Sequence, residues 1–204
     1  MNRLNICVKM LASLSFIACS LTTQALGQSG SAAPVTDVII VYATGNVHTG
    51  PGKVDATSTP TPANENMKTV AGKLVSALTA KKISAKAVLA SDVKNPDEMM
   101  KSKLIVLGSP AYFSNVSWQF KKFVDEQFML IWRQNNRLNN HKVAAFCMAA
   151  EESSAEKVIE NLKDLVINAR GTWGPTMTVL GKNSPDQVKE EVDTFADALE
   201  AFIK

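Results

Sequence analysis

Residues 109–125, SPAYFSNVSWQFKKFVD, decide how this chain folds. They follow Lys103-Leu104-Ile105-Val106-Leu107-Gly108, an apolar run that is short and lacks polar alternation, and so reads as a strand covered on both faces. Pro110 is expected to set a rigid turn, and Ala111 to Asn115 carry two aromatic and two hydrogen-bonding side chains. Beyond the turn, Phe120, Phe123 and Val124 recur at helical spacing. In open parallel sheets ligands sit outside the carboxyl ends of the strands, so this stretch places a ligand site at its own loop.

Outward from that stretch the chain alternates. Strands are expected at Val38 to Tyr42, Ser84 to Leu89, Leu104 to Leu107, Val143 to Met148 and Met177 to Leu180. Helices are expected at Asn64 to Leu78, Pro96 to Met100, Ser117 to Trp132, Ala155 to Ala169 and Pro185 to Ile203. Strands spaced by such helices are joined in parallel by right-handed crossovers, which makes the fold class a doubly wound α/β domain. The last helix has a complete start signal. Ser184 is a fitting N-cap, Pro185 occupies the first helical position and Asp186 puts negative charge at the positive helix end. Its apolar residues Val188, Val192, Phe195, Leu199 and Phe202 form one stripe, which reads as core packing.

The first 27 residues stand apart from this pattern. Arg3 and Lys9 mark a charged start, Met10 to Ala18 carries no charge, and Ala25-Leu26-Gly27 offers the small residues a signal peptidase reads. Residues 1–27 are therefore expected to be a signal peptide, 28–36 a small polar tether, and 37–204 the globular domain of an exported protein, periplasmic or secreted. Phe16-Ile17-Ala18-Cys19 is a second processing site of lipobox type, and lipidation at Cys19 is the one route to the membrane. The apolar run is shorter than the ~20 residues that span a bilayer. Either cleavage removes Cys7 and leaves Cys147 as the thiol of the globular part, so no internal disulfide is expected.

A chain of 204 residues with 46% hydrophobic and 20% charged residues can bury one sizeable core. The formal charge of +3 includes Arg3 and Lys9, and the other basic residues are spread along helices, so a nucleic-acid partner is not expected.

Two loops carry a resemblance. Tyr42-Ala43-Thr44-Gly45-Asn46-Val47 follows the first strand, and Gly108-Ser109-Pro110-Ala111-Tyr112-Phe113-Ser114-Asn115-Val116-Ser117, with Phe120 and Phe123-Val124-Asp125, follows the third. Together they resemble the flavodoxin superfamily, and most of all its flavodoxin-like NAD(P)H:quinone oxidoreductases of the Trp-repressor-binding-protein type. The resemblance runs from Asp37 to the C-terminus. It implies a five-stranded parallel sheet of order 2-1-3-4-5, with FMN at the switch point between strands one and three. It also implies NAD(P)H as co-substrate and a small quinone-like acceptor, with hydride passing through the flavin and no side chain required as acid or base. A flavodoxin-type one-electron carrier and a flavin-free binding module on the same fold stay open beside that activity.

The resemblance assigns residues to the cofactor. Thr44, Gly45, Asn46 and Val47 would begin the phosphate cradle, where backbone N–H groups and hydroxyls meet a helix start. Read without it, they are a plain turn ending a strand. Pro110, Ala111, Tyr112, Phe113, Ser114 and Asn115 would line the flavin ring, with Tyr112 or Phe113 packing on its face; their plain reading is a loop filling space against the core. Met148, Ala149 and Ala150 would make the third contact, after strand four.

Two segments depart from the family pattern. Residues 49–63, TGPGKVDATSTPTPA, intervene between the first loop and the first helix. They either supply the phosphate-binding hydroxyls through Thr57, Ser58, Thr59 and Thr61 or separate Thr44 and Gly45 from the helix. After strand four, where relatives carry glycines, this chain has Met148-Ala149-Ala150-Glu151-Glu152-Ser153-Ser154. Glu151 and Glu152 read as a solvated helix start, or as negative charge beside the cofactor that lowers its potential.

The remaining candidates have plainer readings. His48 lies in the unusual loop after the first strand, where a contact with phosphate or substrate stays open, and His141 is expected to be exposed; two such separated histidines give no metal-ligand spacing, so no metal is expected. Cys147 sits in an apolar strand as a small hydrophobe. Trp132 and Trp173 have two readings, the edge of a flavin pocket or plain core or rim packing. Residues 135–140 form a polar connection that reads as a solvated loop; in relatives such connections can face another subunit or the substrate, which leaves a homo-oligomer open.

Overall fold

The computed structural model describes residues 36–44, 66–133 and 138–204. The expected signal peptide, nearly all of the tether, the insert at 49–63, and Gly45, Asn46 and Val47 lie outside the described residues.

The five expected strands and their order are present. β1 (Val38–Tyr42) pairs in parallel with β2 (Ala85–Leu89) on one side and β3 (Leu104–Tyr112) on the other. β3 pairs with β5 (Lys142–Ala149), and β5 with β6 (Thr172–Leu180), also in parallel. The resulting order, β2-β1-β3-β5-β6, is the expected 2-1-3-4-5 with one short additional strand, β4 (Asn115–Val116), folded back antiparallel on β3. β1 is buried at all five positions, as a central parallel strand with both faces covered must be.

Side chains alternate across the strands into two cores. Ile39, Val41, Ile105, Leu107, Val143 and Ala145 meet Phe120, Phe123, Phe128, Val158 and Leu162 on one face. On the other, Val38, Ile40, Val106, Ala144 and Phe146 meet Val70, Leu74, Val192, Phe195 and Leu199. The helices that supply these contacts are α1 (Met67–Ala80) and α6 (Pro185–Ile203) on the second face, and α3 (Trp118–Phe123) and α5 (Glu152–Asn168) on the first. A single turn, α2 (Asp97–Met100), lies between β2 and β3.

The helix starts follow from local chemistry. Asn66 caps α1 by accepting from the Thr69 N–H at 2.9 Å, which places the first helical residue three positions later than the sequence expectation. α6 runs over the expected residues, and its start is a full capping box: Ser184 Oγ accepts from Gln187 N at 3.3 Å while Gln187 Oε1 accepts from Ser184 N at 2.7 Å. Its far end is held from another element. Lys142 Nζ, on the first residue of β5, donates to the carbonyls of Phe202 (2.7 Å) and Ile203 (3.1 Å) and lies over the Phe202 ring.

Three elements differ from expectation. The helix after Ser117 is interrupted by a π-helical turn, Val124–Phe128, before continuing as α4 (Met129–Arg133). The extra residue of that turn brings Phe128 and Ile131 onto the buried face that Phe120 and Phe123 begin. β6 begins five residues earlier than expected, and Gly174-Pro175 bulge out where Val143↔Trp173 gives way to Ala145↔Thr176. As an edge strand, β6 tolerates the proline's missing N–H.

The third difference concerns Pro110, which makes no turn. It continues β3 opposite Met148. Gly108 O points toward β1, where it accepts from Ala43 N at 2.9 Å, and backbone groups alternate sides along a strand. The nitrogen of Pro110 therefore faces the β1 side, past the last β1 pair, Tyr42↔Gly108, where no ladder donor is needed. The reversal comes three residues later at Phe113 and Ser114, with φ of 49° and 60°. Two adjacent positive φ values between Tyr112 and its partner Asn115 are the geometry of a type I′ hairpin.

Candidate functional site

The carboxyl ends of β1, β3 and β5 come together by register. Tyr42 is level with Gly108, and Pro110 with Met148, so Ala43 and Thr44, the 110–115 hairpin and Ala149-Ala150 share one end of the sheet. Thr44 is half-buried at the β1 tip. Gly45, Asn46 and Val47, named with it as a phosphate cradle, fall outside the described residues.

The hairpin is fastened at its base and at its tip. Ser109 is fully buried, and its hydroxyl donates to Pro110 O (3.0 Å) while accepting from Ser117 N (3.0 Å). Ser117 in turn caps α3 by accepting from Phe120 N at 3.3 Å. Strand end, hairpin return and helix start are thus one bonded unit. At the tip, Ser114 Oγ lies 3.2 Å from Ser154 Oγ in the first turn of α5, and Asn115 Oδ1 accepts from its neighbour Val116 N at 2.8 Å. Serines 109 and 117 flank a short hairpin, a spacing readable in the sequence. The partnership of Ser114 with Ser154, 40 residues away, leaves no such mark.

This unit holds Phe113 in open solvent. Its side chain is 104% exposed, on a left-handed backbone that a bulky residue adopts only at a cost of about 1–2 kcal/mol. Trp118, in the first turn of α3, is half exposed. Pro110, Ala111 and Tyr112 are half-buried, and burial pushes the Tyr112 phenol above its ordinary pKa. Tyr42 is also raised, first by burial and then by the Asp92 carboxylate.

Of the third group, Met148 and Ala149 turn their side chains into the two cores, and the carbonyl of Ala149 accepts from Gly181 N at 2.8 Å. Ala150 is exposed at the tip. Glu151 is the N-cap residue of α5 without a side-chain capping bond, and Glu152 lies in its first turn; both are exposed. This is the solvated helix start of the two readings given for them. His141 departs from expectation: it is half-buried, its Nε2 has no hydrogen-bond partner, and burial lowers its pKa. The turn around it explains this, since Leu138 N bonds Ala169 O and His141 O accepts from Thr172 N, pulling the connection onto the sheet edge. Cys147 is fully buried with its thiol pushed up to about 12, which leaves it unreactive.

Neither of two cavities among the described residues includes a predicted site residue. One, of about 150 Å³, lies among Ile39, Lys86, Asp92, Lys94, Glu98 and Met99. The other, of about 350 Å³, lies between β6 and α6.

Solved structures share this arrangement of strands and helices. A flavodoxin from Streptococcus pneumoniae TIGR4 superposes with a TM-score of 0.58 at 12% identity, over 81% of this chain and 98% of that one. The fold is flavodoxin-like. A flavodoxin, WrbA-like protein from Agrobacterium tumefaciens gives 0.56 at 16% identity, over 81% and 96%. The two-electron-reduced flavodoxin of Megasphaera elsdenii gives 0.51 at 21%, over 79% and 99%. The sequence itself matches no protein-family model and no curated protein. Thr44 and the hairpin lie at the carboxyl ends of the strands, the end of an open α/β sheet where ligands generally sit.

Proposed function

We propose that the strand tips hold FMN and that the protein is a flavin-dependent oxidoreductase, reducing a quinone-like acceptor in two-electron steps with NAD(P)H as donor. The observation that carries this reading is Phe113: an aromatic face displayed whole to solvent, on a strained backbone, at the ligand end of a flavodoxin-like sheet. Strain of this kind persists where surrounding bonds enforce it, as Ser109, Ser114 and Ser117 do here.

The residues present fit the cofactor. An exposed phenyl ring offers a stacking face for a planar heterocycle. The first turn of α1 contains no acidic residue and does contain Lys68, so the charge at its positive end favours a phosphate. Asn66 takes the Thr69 N–H and hydroxyl, which fixes where the helix start lies. Bound FMN would supply the hydride chemistry at its N5. The chain supplies placement: the bonded hairpin fixes the aromatic face, Tyr112 stays protonated at neutral pH, and Cys147 is too deeply buried to exchange electrons as a thiolate.

Titration of FMN into the purified protein, followed by flavin fluorescence, tests the proposal. Saturable quenching at one FMN per chain is expected, weakened about tenfold or more by Phe113→Ala, since a stacked base or ring is worth roughly 1–3 kcal/mol. Absence of quenching would overturn it and leave a flavin-free binding module. Given binding, NAD(P)H turnover with benzoquinone separates the reductase from a one-electron carrier. We further propose that residues 1–27 direct export.

A further inference from the structure

The sheet ends in two edges that differ in their defences. β2 is five residues long and carries Lys86, a short charged edge of the kind that discourages pairing. β6 is nine residues long, and its defences are all at its start, where Gly174 and Pro175 bulge out. From Thr176 to Leu180 the strand reads Thr-Met-Thr-Val-Leu, without charge or proline, and it pairs with β5 alone among the described strands. Every second residue there turns an N–H and a C=O away from the sheet.

The 350 Å³ cavity lies along this edge. Its strand wall is Thr176, Met177 and Thr178, three consecutive residues. Its lining comes from β6 and α6 and includes no β5 residue, which places it toward the open side of β6. The opposite wall is α6, through Glu190, Glu191, Thr194 and Ala198, with Phe195 beneath. Glu191 is half-buried there. One of its oxygens accepts from Asn183 Nδ2, while the other, Oε2, is buried without a partner. Burial raises its pKa, with the neighbouring Glu190 adding to the effect, as expected for a carboxylate short of a cation.

We propose that the edge of β6 and the facing stretch of α6 form a docking groove for an extended segment of another protein bearing lysine or arginine. The segment's backbone adds a strand to β6, and its cationic side chain reaches Glu190 and Glu191. Strand addition supplies affinity through main-chain bonds, and the acidic wall supplies selectivity. A second copy of this chain is the wrong occupant: pairing β6 with β6 would bring two sets of Glu190 and Glu191 together, and like charges across an interface oppose association. The proposal is independent of the flavin reading.

The test uses a fluorescently labelled seven-residue peptide alternating valine and lysine, with two controls: the valine–glutamate peptide, and the lysine peptide N-methylated on alternate backbone nitrogens. Saturable binding of the lysine peptide is expected, weakened about tenfold or more in both controls and in the doubly substituted Glu190→Gln, Glu191→Gln protein. Slowed hydrogen exchange at residues 176–178 on binding is also expected. Exchange in the free variant confirms that it is folded. No binding, binding indifferent to the peptide's charge, or protection away from β6 would overturn the proposal. So would sedimentation showing a dimer of the protein that the lysine peptide disperses, which would assign the groove to a second copy.

Discussion

At the scale of single residues, the site and the scaffold ask opposite things of Phe113. Its ring touches little, and its backbone is left-handed, so Phe113→Gly removes strain without opening a cavity. The glycine variant is expected to gain about 1 kcal/mol of stability in urea unfolding while losing FMN affinity; a loss of stability would show that the hairpin depends on the ring. Gly108 presents the reverse case. A methyl group there would lie 2.3 Å from Phe146 Cε1 and 2.4 Å from its Cζ, so Gly108→Ala is expected to cost about 1–3 kcal/mol, with part returned when Phe146→Leu makes room.

Asp37 gives a pH signature. It accepts from Lys103 Nζ at 2.8 Å and from Ser84 Oγ at 2.7 Å and N at 3.1 Å, and these bonds, Lys103's first, lower its pKa to about 2. A carboxylate with a depressed folded pKa stabilises the fold above its unfolded value of 3.8 and loses that contribution as pH falls toward 2. Solvent around the exposed Lys103 screens the pair, so about 1 kcal/mol is expected to vanish over that window and to be missing at all pH in Asp37→Asn. His141 acts higher. Its pKa is lowered in the fold, so stability is full above its ordinary value of 6.5 and declines as pH drops below it, toward the depressed folded value. Urea midpoints should show that step in the parent protein and not in His141→Phe.

At the scale of elements, the helix from Trp118 to Arg133 carries the clearest prediction. Its π turn accommodates one residue more than an α-helix would, and Asp125 and Glu126 within it are exposed. Deletion of Glu126 is expected to restore a regular helix with both apolar faces still aligned, and to cost less stability than Phe128→Ala, for which about 3–5 kcal/mol is expected. Equal losses would show that the π turn is needed for packing. The turn was not legible in the sequence because Val124 and Phe128 are four apart, which is ordinary helical spacing. The hairpin was misread for a related reason. Pro110 signals a turn by propensity, yet the end of β1 leaves its side of β3 without a partner, so tertiary context made a strand position acceptable. Phe113 and Ser114 are residues that rarely take positive φ, and nothing local announced the reversal there.

At the scale of the whole molecule, the alternation of strands and helices was legible because each apolar run had one period and one length. The central strands β1, β3 and β5, all covered on both faces, read as unbroken hydrophobic stretches. Strand order is a property of how crossovers pack, so it came from the resemblance carried by residues 108–117 and was then found in the sheet. The Ser114–Ser154 bond, the acidic groove beside β6 and the burial of His141 depend on pairs far apart in the chain, and no local pattern holds them. Export is tested on the intact protein: mass spectrometry of the mature product is expected to show a chain beginning at Gln28, or at a lipidated Cys19. A product retaining Met1 in the soluble cell fraction would remove that proposal.

The bond from Lys142 to the end of α6 has a practical corollary. Lys142 opens β5, so the C-terminal turn is pinned at the side of the sheet where strands begin, and Thr36, before β1, leaves from that same side. Strand tips lie a strand's length away, roughly 25 Å for eight residues. Beads, sensor chips or fusion partners joined at Lys204 would therefore present Phe113 outward to the surrounding solution.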